Sequence, residues 1–210
     1  MSIITISRMF GSGGSEVAAG VARALGWQLL DNAFVDAVAQ RLGVSPEEVE
    51  EREERVPSLT QRLATTLAIS APEILPSPIA PPLPPTEQRL VEVTARIVQE
   101  AVATGHAVLV GRGAQCILGE RADVLHIFCY APPDALAARA AARLGISIPD
   151  AAREVEQRNH QREQYVRRYW KRSWLAFDNY HLCVNTGAMG IDETIELVVR
   201  VARGRFALTP

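Results

Sequence analysis

Lysine is almost absent from this chain. Lys171 is the one lysine among 22 basic residues, so all the others are arginines. Because the planar guanidinium group of arginine can bind a phosphate through two parallel hydrogen bonds, we expect any anion site to be built mainly from arginine. The formal net charge is only -2, so no overall positive field favours nucleic acid or an anionic membrane surface as a partner. A phosphate-binding surface must therefore be local.

Cysteine and long apolar runs are scarce as well. Cys116, Cys129 and Cys183 form no CxxC pair and lie in apolar segments, which predicts buried thiols in a reducing cytosol rather than disulfides or metal ligands. No segment reaches the roughly 18 apolar residues of a membrane span. The first residues also lack the basic and apolar regions of a signal peptide. We therefore expect a cytoplasmic protein.

The chain does have enough apolar residues for a core. Its 210 residues, 48% hydrophobic and 22% charged, suit one globular domain. Short apolar segments alternate with segments of helical periodicity. Strands are predicted at residues 2–7, 27–30, 107–110, 124–130 and 181–185. Helices are predicted at residues 16–25, 31–42, from 45 onward, 86–104, 133–144, 150–172 and 192–203. This alternation predicts an α/β fold with a doubly wound five-stranded parallel sheet flanked by helices.

Proline is concentrated in one segment. Residues 72–85 hold seven of the thirteen prolines, so neither a helix nor a central strand can persist there. An extended surface connector is the expected structure, and a proline-rich ligand for a partner domain is the alternative.

A glycine-rich turn follows the first predicted strand. Residues 8–16 read R-M-F-G-S-G-G-S-E, and a helix follows. Consecutive backbone N–H groups and the positive end of a helix suit a phosphate. The strict phosphate-loop pattern fails at two positions, because Arg8 stands at the first glycine and Gly14 at the lysine. A turn that merely joins strand to helix is the alternative.

Two polar residues follow other predicted strands. Ligands of parallel sheets bind outside the carboxyl ends of the strands. Asp31 ends the second predicted strand, and Arg112 stands between two glycines after the third. Asp31 either faces a ligand or caps the next helix. Arg112 is favoured as a ligand contact, because a buried arginine needs an anionic partner, and a structural ion pair is the alternative.

The local positive surface lies in residues 139–172. This segment contains nine basic and four acidic residues. Arg158 and Arg162 lie four residues apart on one helical face, which suits a lid that closes over phosphates. A solvated helix with ordinary surface charges is the alternative, and it fits Arg167 and Arg168 better.

The remaining histidines and tryptophans favour structural roles. His126 alternates within an apolar strand and is predicted to be a hydrogen-bonded core residue. Trp170 and Trp174 are four residues apart on a predicted helix and are expected to pack in the core. No His or Cys grouping indicates zinc, and no G-x-S-x-G motif supports a hydrolase.

Residues 6–18 strongly resemble the opening of the cytidylate kinase-like proteins, a branch of the P-loop nucleoside monophosphate kinases with a non-standard glycine loop. The shared letters are I-S-R-x-x-G-S-G-G-x-E-V-A. The resemblance continues in L-L-D ending at Asp31, in V-L-V-G-R-G-A ending at Ala114, and in R-x-x-Y, W-x-x-x-x-N-Y and L-x-V-N-T between Arg162 and Thr186. It implies a single P-loop NTPase domain over residues 1–210, with its core in 1–31, 105–135 and 181–204, a helical acceptor-binding insertion in 32–104 and a helical lid in 145–175.

The resemblance also implies a reaction and its site. ATP would donate its γ-phosphoryl group to a nucleoside monophosphate, with CMP or dCMP as the indicated acceptor and Mg²⁺ on the donor phosphates. The donor would be held by Gly11, Ser12, Gly13, Gly14, Ser15 and Glu16, with Glu16 also reaching Mg²⁺ directly or through water. Arg8, Arg158 and Arg162 would act in catalysis, and Asp31 and Arg112 would bind the acceptor. The expected partners are small-molecule nucleotides, with no nucleic acid and no membrane, and a homo-oligomer is left open.

Three departures from the resembling family concern charge. Asn159 stands three residues before the lid arginine, where an acidic residue is usual, His181 replaces an Asp, and Ser15 replaces a common Arg. We expect these changes to alter charge near a site whose catalysis depends on positioning and electrostatics. The alternative function is therefore a catalytically degenerate nucleotide-binding regulatory protein. A third is protein interaction through residues 72–85.

Overall fold

A parallel sheet forms the centre of the computed structural model, which describes residues 1–31 and 87–208. Its strands are β1 (Ile3–Arg8), β2 (Gln28–Leu30), β3 (Ala107–Val110), β4 (Val124–Tyr130) and β5 (Leu182–Asn185). Their order across the sheet is β2-β3-β1-β4-β5, and each pair of neighbours is parallel. The predicted five-stranded parallel sheet is confirmed.

Helices cover both faces of this sheet. Within the described ranges they are α1 (Gly14–Leu25), α2 (Glu87–Thr104), α3 (Ala114–Leu118), α4 (Pro133–Leu144), α5 (Ile148–Trp170), α6 (Thr186–Met189) and α7 (Ile191–Phe206). Residues of α2 and α3 pack on one face, and residues of α1 and α7 pack on the other. The doubly wound arrangement is therefore confirmed, and it explains why the strands appear as continuous apolar runs.

The central strand β1 sets the position of the loops that follow it. Ile3 packs on the face covered by α2 and α3, whereas Ile4 and Ile6 pack on the opposite face. Burying each of these side chains contributes about 1.5–3 kcal/mol to stability. Ile6 is paired with Val110 of β3 and with Ile127 of β4. The chain therefore leaves all three strands at one edge, which we call the carboxyl edge.

His126 is a hydrogen-bonded core residue, as predicted. Its side chain is 4% exposed, Nδ1 lies 2.7 Å from the hydroxyl oxygen of Thr5, and Nε2 lies 2.9 Å from the carbonyl oxygen of Gly119. Because a carbonyl can only accept, Nε2 carries the proton and Nδ1 accepts from Thr5. Burial is the main cause that lowers the pKa of His126, so the ring is held neutral inside the sheet.

The prediction that one helix carries both Trp170 and Trp174 is wrong. Helix α5 ends at Trp170, because Lys171 adopts a left-handed conformation with φ +56° and ends the helical run. Trp174 lies beyond this turn and is nevertheless buried, with its ring edge-on to Phe128 at 5.3 Å between centroids. The expected core packing of this side chain is therefore correct, although its secondary structure is not.

The cysteine prediction is correct for one thiol and wrong for two. All three cysteines are free, but only Cys129 is buried, whereas Cys116 and Cys183 are half-buried. Burial raises the pKa of Cys129 to about 12 and that of Cys116 to about 11. These thiols are therefore protonated and poorly reactive near neutral pH.

Several predictions lie outside the described residues. They concern the helices after Asp31 and from residue 45, the proline-rich segment 72–85, and most of the acceptor-binding insertion 32–104. In the part that is described, no helix has both the length and the apolar composition needed to cross a membrane.

Candidate active site

A cavity of about 590 Å³ opens at the carboxyl edge, where the loops after β1, β2 and β3 meet helices α4 and α5. A volume of this size suits a small molecule. Among the described residues, six arginines and two carboxylates line it: Arg8, Arg112, Arg139, Arg143, Arg158, Arg162, Glu16 and Asp31. We call it the arginine cavity. Its excess of positive charge favours a polyanionic ligand.

The glycine loop, residues 9–13, turns the chain from β1 into α1. Gly11 and Gly13 have φ angles of +84° and +75°, in the left-handed region that side chains disfavour. A Cβ on Gly11 would overlap the carbonyl oxygen of Leu136 in α4, and a Cβ on Gly13 would overlap the side chain of Ile191 in α7. Glycine is therefore required at both positions by backbone conformation, and at Gly11 also by space, because the atom it would overlap belongs to the backbone.

The start of α1 faces the arginine cavity. The N–H of Val17 donates to the carbonyl oxygen of Gly13 at 3.0 Å, which closes the first turn of the helix. The N–H groups of Gly14, Ser15 and Glu16 precede that bond and have no intrahelical acceptor. All three residues line the cavity. Their N–H groups and the positive helix end can therefore bind an anion.

Hydrogen bonds of the Ser12 and Thr186 hydroxyl groups hold the glycine loop in place. Ser12 is fully buried, and its hydroxyl donates to the carbonyl oxygen of Met9 at 2.8 Å. The hydroxyl oxygen of Thr186, directly after β5, lies 2.6 Å from the carbonyl oxygen of Ser12 and 3.0 Å from that of Tyr130. These bonds join the loop to β4 and β5, so the sheet fixes the loop before any ligand arrives.

Arg8 connects the glycine loop to the neighbouring strands. It is the last residue of β1, and its Cβ and Cγ occupy the space that a Cβ on Gly14 would need. Its guanidinium lies against Gly111 after β3, and its Nη2 atom is 3.9 Å from Asp31 Oδ1 after β2. Arg8 therefore places a positive charge between the loop and the residues that follow β2 and β3.

Arg112 has an unusual backbone conformation. Its φ angle is +58°, a left-handed conformation that costs energy for a non-glycine residue and is common at functional sites. A Cβ on Gly113 would lie 2.7 Å from the ring of Trp170, so this turn is packed closely against α5. Arg112 lines the arginine cavity but is half-buried, which corrects the expectation of full burial.

Helix α5 contacts the glycine loop directly. Arg158 and Arg162 lie one turn apart and both line the cavity, as predicted. The Nη1 atom of Arg162 donates to the carbonyl oxygen of Arg8 at 2.8 Å, and the N–H of Phe10 donates to Asn159 Oδ1 at 2.8 Å. The predicted lid helix is thus hydrogen-bonded to the end of β1 through Arg162 and to the glycine loop through Asn159.

Phe10 gathers three of the cavity arginines around its ring. It is 4% exposed, and the guanidinium carbons of Arg158, Arg143 and Arg162 lie 4.6, 4.8 and 5.9 Å from the ring centre. Each such contact contributes about 0.5–2 kcal/mol. The ring therefore orients positive charge from α4 and α5 beside the loop.

Glu16 and Arg139 form an ion pair at the mouth of the loop. Arg139 Nη2 donates to Glu16 Oε1 at 2.7 Å, and the two side chains are 42% and 63% exposed. A pair this exposed contributes at most about 1 kcal/mol. Exchanging it for contacts with a bound phosphate therefore costs little.

The structure brings together ten of the eleven predicted site residues. Those that line the arginine cavity are Arg8, Gly11, Gly13, Gly14, Ser15, Glu16, Asp31, Arg112, Arg158 and Arg162. Ser12 is part of the loop but is fully buried and does not line the cavity. The expectation that His181 alters charge near this site is wrong, because His181 lines a separate cavity of about 360 Å³ with His126, Arg172 and Arg205. This second cavity lies beside the starts of β4 and β5, and we call it the amino-edge cavity.

Four contributors to the site were not among the predicted site residues: Phe10, Arg139, Arg143 and Thr186, although the two arginines belong to the basic segment 139–172. The two arginines lie four residues apart on a helix that follows a strand, which is a readable signal. Phe10 and Thr186 carry no comparable signal, since an apolar loop residue and a threonine after a strand are both common. Their roles depend on contacts between distant segments.

Magnesium was expected with the donor phosphates, and the residues present fit it. In the described ranges, no group of three or more His, Cys, Asp or Glu side chains is placed to hold a metal ion. Mg²⁺ does not need such a group, because it keeps several waters and binds one or two carboxylates together with substrate phosphates. Glu16 and Asp31 both face the cavity, so they supply carboxylates of the required kind.

Comparison with protein families agrees with this geometry. A family model described as the cytidylate kinase-like family matches residues 3–188. A curated protein, uronate isomerase of Corynebacterium glutamicum, is 27% identical over 120 residues. That alignment covers 57% of this chain but 23% of the isomerase, so this chain spans less than a quarter of that protein.

Solved structures share the fold. An uncharacterized protein from Eubacterium ventriosum has a TM-score of 0.69 at 19% identity, covering 96% of this chain and 98% of that one. Shikimate kinase from Bacteroides thetaiotaomicron has a TM-score of 0.52 at 16% identity, covering 99% of both chains. A gluconokinase from Sinorhizobium meliloti has a TM-score of 0.50 at 15% identity, covering 98% of this chain and 96% of that one. At these identities the likeness establishes the kinase fold alone.

Proposed function

The chain belongs to the cytidylate kinase-like family, and on that premise we propose that it is a cytoplasmic kinase that transfers the γ-phosphoryl group of ATP to a nucleoside monophosphate, CMP or dCMP. The observation that supports this most is the meeting of a glycine loop, a helix N-terminus and six arginines in the arginine cavity. Phosphoryl transfer requires little covalent chemistry from the protein and depends on positioning and charge. The arginine cavity supplies both.

In the proposed reaction, the triphosphate of ATP lies on residues 11–16, the end of the glycine loop and the first turn of α1, and is bound by the N–H groups of that turn. Arg8 supplies the positive charge that a lysine would give in the strict pattern. Its guanidinium already lies against Gly111, with Nη2 3.9 Å from Asp31 Oδ1, so little reorganisation precedes the transfer. Arg139 gives up its exposed ion pair with Glu16 and binds a phosphate of the donor instead.

The acceptor lies between Asp31 and Arg112, on the side of the cavity formed by the loops after β2 and β3. Arg112 binds its phosphate, and the insertion of residues 32–104 encloses the rest. The lid, residues 145–175, brings Arg158 and Arg162 toward the group in transfer and excludes water. Mg²⁺, when bound with ATP near Glu16, neutralises charge on the donor phosphates.

The test is ADP release by purified protein with ATP, Mg²⁺ and a panel of nucleoside monophosphates. We expect turnover with CMP or dCMP, and a fall of at least about 100-fold in Arg112→Ala, because removing one preformed electrostatic contact commonly has that effect. Arg205→Ala, at the amino-edge cavity, is the matched control and should keep its activity. If ATP binds but none of the acceptors is turned over, the kinase hypothesis is rejected.

A catalytically inactive nucleotide-binding regulator is the second candidate, and Asn159 favours it. This neutral side chain stands where the family has an acid and accepts the N–H of Phe10. In Asn159→Asp the carboxylate can accept the same bond and adds a negative charge beside the lid arginines. If the absence of an acidic residue at position 159 abolishes catalysis, Asn159→Asp should show turnover that the wild-type protein lacks. Equal turnover in the two proteins would exclude position 159 as the cause of inactivity.

A further inference from the structure

The peptide group between Ser12 and Gly13 lies where the glycine loop meets α1. Ser12 is fully buried, and its carbonyl oxygen lies 2.6 Å from the hydroxyl oxygen of Thr186, which is 6% exposed. Because a carbonyl oxygen can only accept, the Thr186 hydroxyl donates this bond. Its other carbonyl neighbour, that of Tyr130, is farther away at 3.0 Å. The Ser12 carbonyl therefore points toward a buried side chain, and neither Ser12 nor Thr186 lines the arginine cavity.

The N–H of Gly13 belongs to the same peptide group. In a planar trans peptide the C=O and the N–H point in opposite directions. A Ser12 carbonyl that faces the buried Thr186 therefore directs this N–H to the other side, and Gly13 lines the arginine cavity. Within the described ranges, the N–H of Gly13 donates to no backbone carbonyl. It is therefore available to a ligand.

The backbone of Gly13 and Gly14 suits an anion. Gly13 is left-handed, with φ 75° and ψ 11°, and Gly14 begins the right-handed helix α1. A left-handed residue beside a right-handed one is a backbone conformation in which successive N–H groups surround an anion. In this orientation the N–H of Gly13 adds one donor to those of Gly14, Ser15 and Glu16.

Glycine at position 13 does not by itself fix that orientation. Because glycine has no Cβ, it populates positive and negative φ about equally, so the Ser12–Gly13 peptide can rotate and turn its carbonyl oxygen into the arginine cavity. The negative partial charge of that oxygen would repel a phosphate. Such a rotation breaks the bond from Thr186, so the Thr186 hydroxyl opposes it.

We propose that Thr186 is a positioning residue that holds the Ser12–Gly13 peptide with its N–H directed into the arginine cavity, where this N–H binds a phosphate of the donor. Thr186 does not line the cavity, so it acts through the Ser12 carbonyl and not by contact with the ligand. This inference rests on the proposed function, which identifies the donor as ATP.

Thr186→Val tests this role, because valine resembles threonine in shape and has no hydroxyl. We expect the Kd for ATP, measured by calorimetric titration without acceptor, to rise about tenfold, since about 1.4 kcal/mol, typical of a buried carbonyl left unpaired, is a factor of ten. Thr186→Ser keeps the hydroxyl and should restore most of the affinity. In turnover, KM for ATP should rise in Thr186→Val while KM for the acceptor stays as in the wild type.

Thr194→Val is the matched control. Thr194 is fully buried, and its hydroxyl donates to the carbonyl oxygen of Gly190 at 2.5 Å, but it does not line the arginine cavity. Both valine variants lose one bond from a hydroxyl to a carbonyl, so both should unfold at lower urea concentration. Only Thr186→Val should bind ATP more weakly. Wild-type ATP affinity in Thr186→Val, or a loss that Thr186→Ser does not reverse, would overturn the inference.

The amide resonance of Gly13 provides a test that depends on no variant. In amide spectra of isotope-labelled wild-type protein, ATP and tripolyphosphate should each shift this resonance, because the N–H gains a phosphate oxygen as acceptor. If ATP binds and the resonance stays unchanged, this N–H does not contact the phosphates. That result would overturn the inference even if Thr186→Val failed to fold.

The ATP titrations also separate this inference from the proposed function. Weaker ATP binding in Thr186→Val, with no turnover of any acceptor by any of the proteins, would reject the kinase and keep Thr186 as the positioning residue of a nucleotide-binding loop. Turnover with unchanged ATP affinity in Thr186→Val would do the reverse. If the wild-type protein binds no ATP, both proposals fall.

Discussion

In the part of the chain that the structure describes, six arginines line a cavity of about 590 Å³ at the carboxyl edge of the sheet, whereas three arginines and two histidines line one of about 360 Å³ at the amino edge. The carboxyl edge also has a glycine loop and a helix N-terminus. At the amino edge, Arg205 donates to the carbonyl oxygen of Val124 at 2.9 Å, and Arg121 binds Asp123 at 2.6 Å. Arginine there is already bonded to other groups of the protein.

The difference teaches that arginine content alone does not locate an anion site. Both edges carry guanidinium groups, and the carboxyl edge adds the backbone N–H groups at the start of α1, which face the same space. The two histidines at the amino edge are stacked, with ring centres 5.2 Å apart, and both have a lowered pKa through burial first. That edge is therefore a structural junction, and substitutions there should act on stability rather than on catalysis.

The largest expected effect compares one arginine from each edge. Arg162→Ala removes a cavity guanidinium that also donates to the carbonyl oxygen of Arg8, and we expect kcat to fall about 100- to 1000-fold. Arg172→Ala at the amino edge should keep kcat within about twofold, since exposed charges contribute little. Steady-state ADP release measures both. Equal losses in the two variants would erase the distinction between the edges.

Next in size is the difference between two left-handed glycines. A Cβ on Gly11 meets the carbonyl oxygen of Leu136, whereas one on Gly145, at the end of α4, meets nothing within 4 Å. Both alanine variants carry the left-handed strain of about 1–2 kcal/mol. Gly11→Ala should lose about 1–3 kcal/mol more from overlap, and should also weaken ATP binding. Urea unfolding and ATP titration test this. Similar losses of stability in Gly11→Ala and Gly145→Ala would mean that the glycine loop relaxes to accommodate the added Cβ.

A smaller effect is expected from the amino-edge junction. Arg205→Ala removes the guanidinium bonds to the carbonyl oxygens of Val124 and Arg121, which should lower the free energy of unfolding by about 1 kcal/mol. Arg200→Ala, exposed on the same helix, is the control and should be near neutral. Catalytic activity should not change in either variant. Loss of activity in Arg205→Ala alone would assign this edge a direct role.

The smallest effect concerns pH. The folded protein lowers the pKa of His126 by burial first and then by the charges of His181, Arg205 and Arg172. Below the pKa of the unfolded chain, about 6.5, the unfolded chain therefore binds a proton that the folded chain does not. The free energy of unfolding then decreases as the pH is lowered. In His126→Gln this loss should shrink, while in His160→Gln, an exposed position, it should not. Unfolding curves between pH 7.5 and about 5.5 decide; identical slopes would contradict the assignment.

Segments with a strong local signal were predicted well. Residues 107–110 and 124–130 form β3 and β4 as predicted, since both are buried on two faces and are therefore apolar throughout. Helix α4 spans residues 133–144 as predicted, because Pro133 opens it and Gly145 closes it. The apolar runs and the terminal proline and glycine are local features of the sequence, so these elements could be predicted without knowledge of tertiary contacts.

Segments with a weak local signal were missed or shifted. Helices α3 and α6 have five and four residues, which is too short for a hydrophobic period to appear. Helix α5 begins at Ile148 and not near Asp150, because the hydroxyl of Ser147 accepts the N–H of Asp150 and caps it earlier. Local rules place an element, but its ends depend on individual bonds.

By itself, the sequence determined the alternation of strands and helices, the glycine loop after β1 and the residues that follow the strands, because apolar periodicity and glycine act over a few neighbouring residues. Only the tertiary structure decided the strand order and the packing of Arg143, Arg158 and Arg162 around Phe10. It also decided that His181 lies at the amino edge. These arrangements join residues that are far apart in the chain, 55 positions for His126 and His181 and 149 for Phe10 and Asn159, and no local preference specifies which distant side chains will meet.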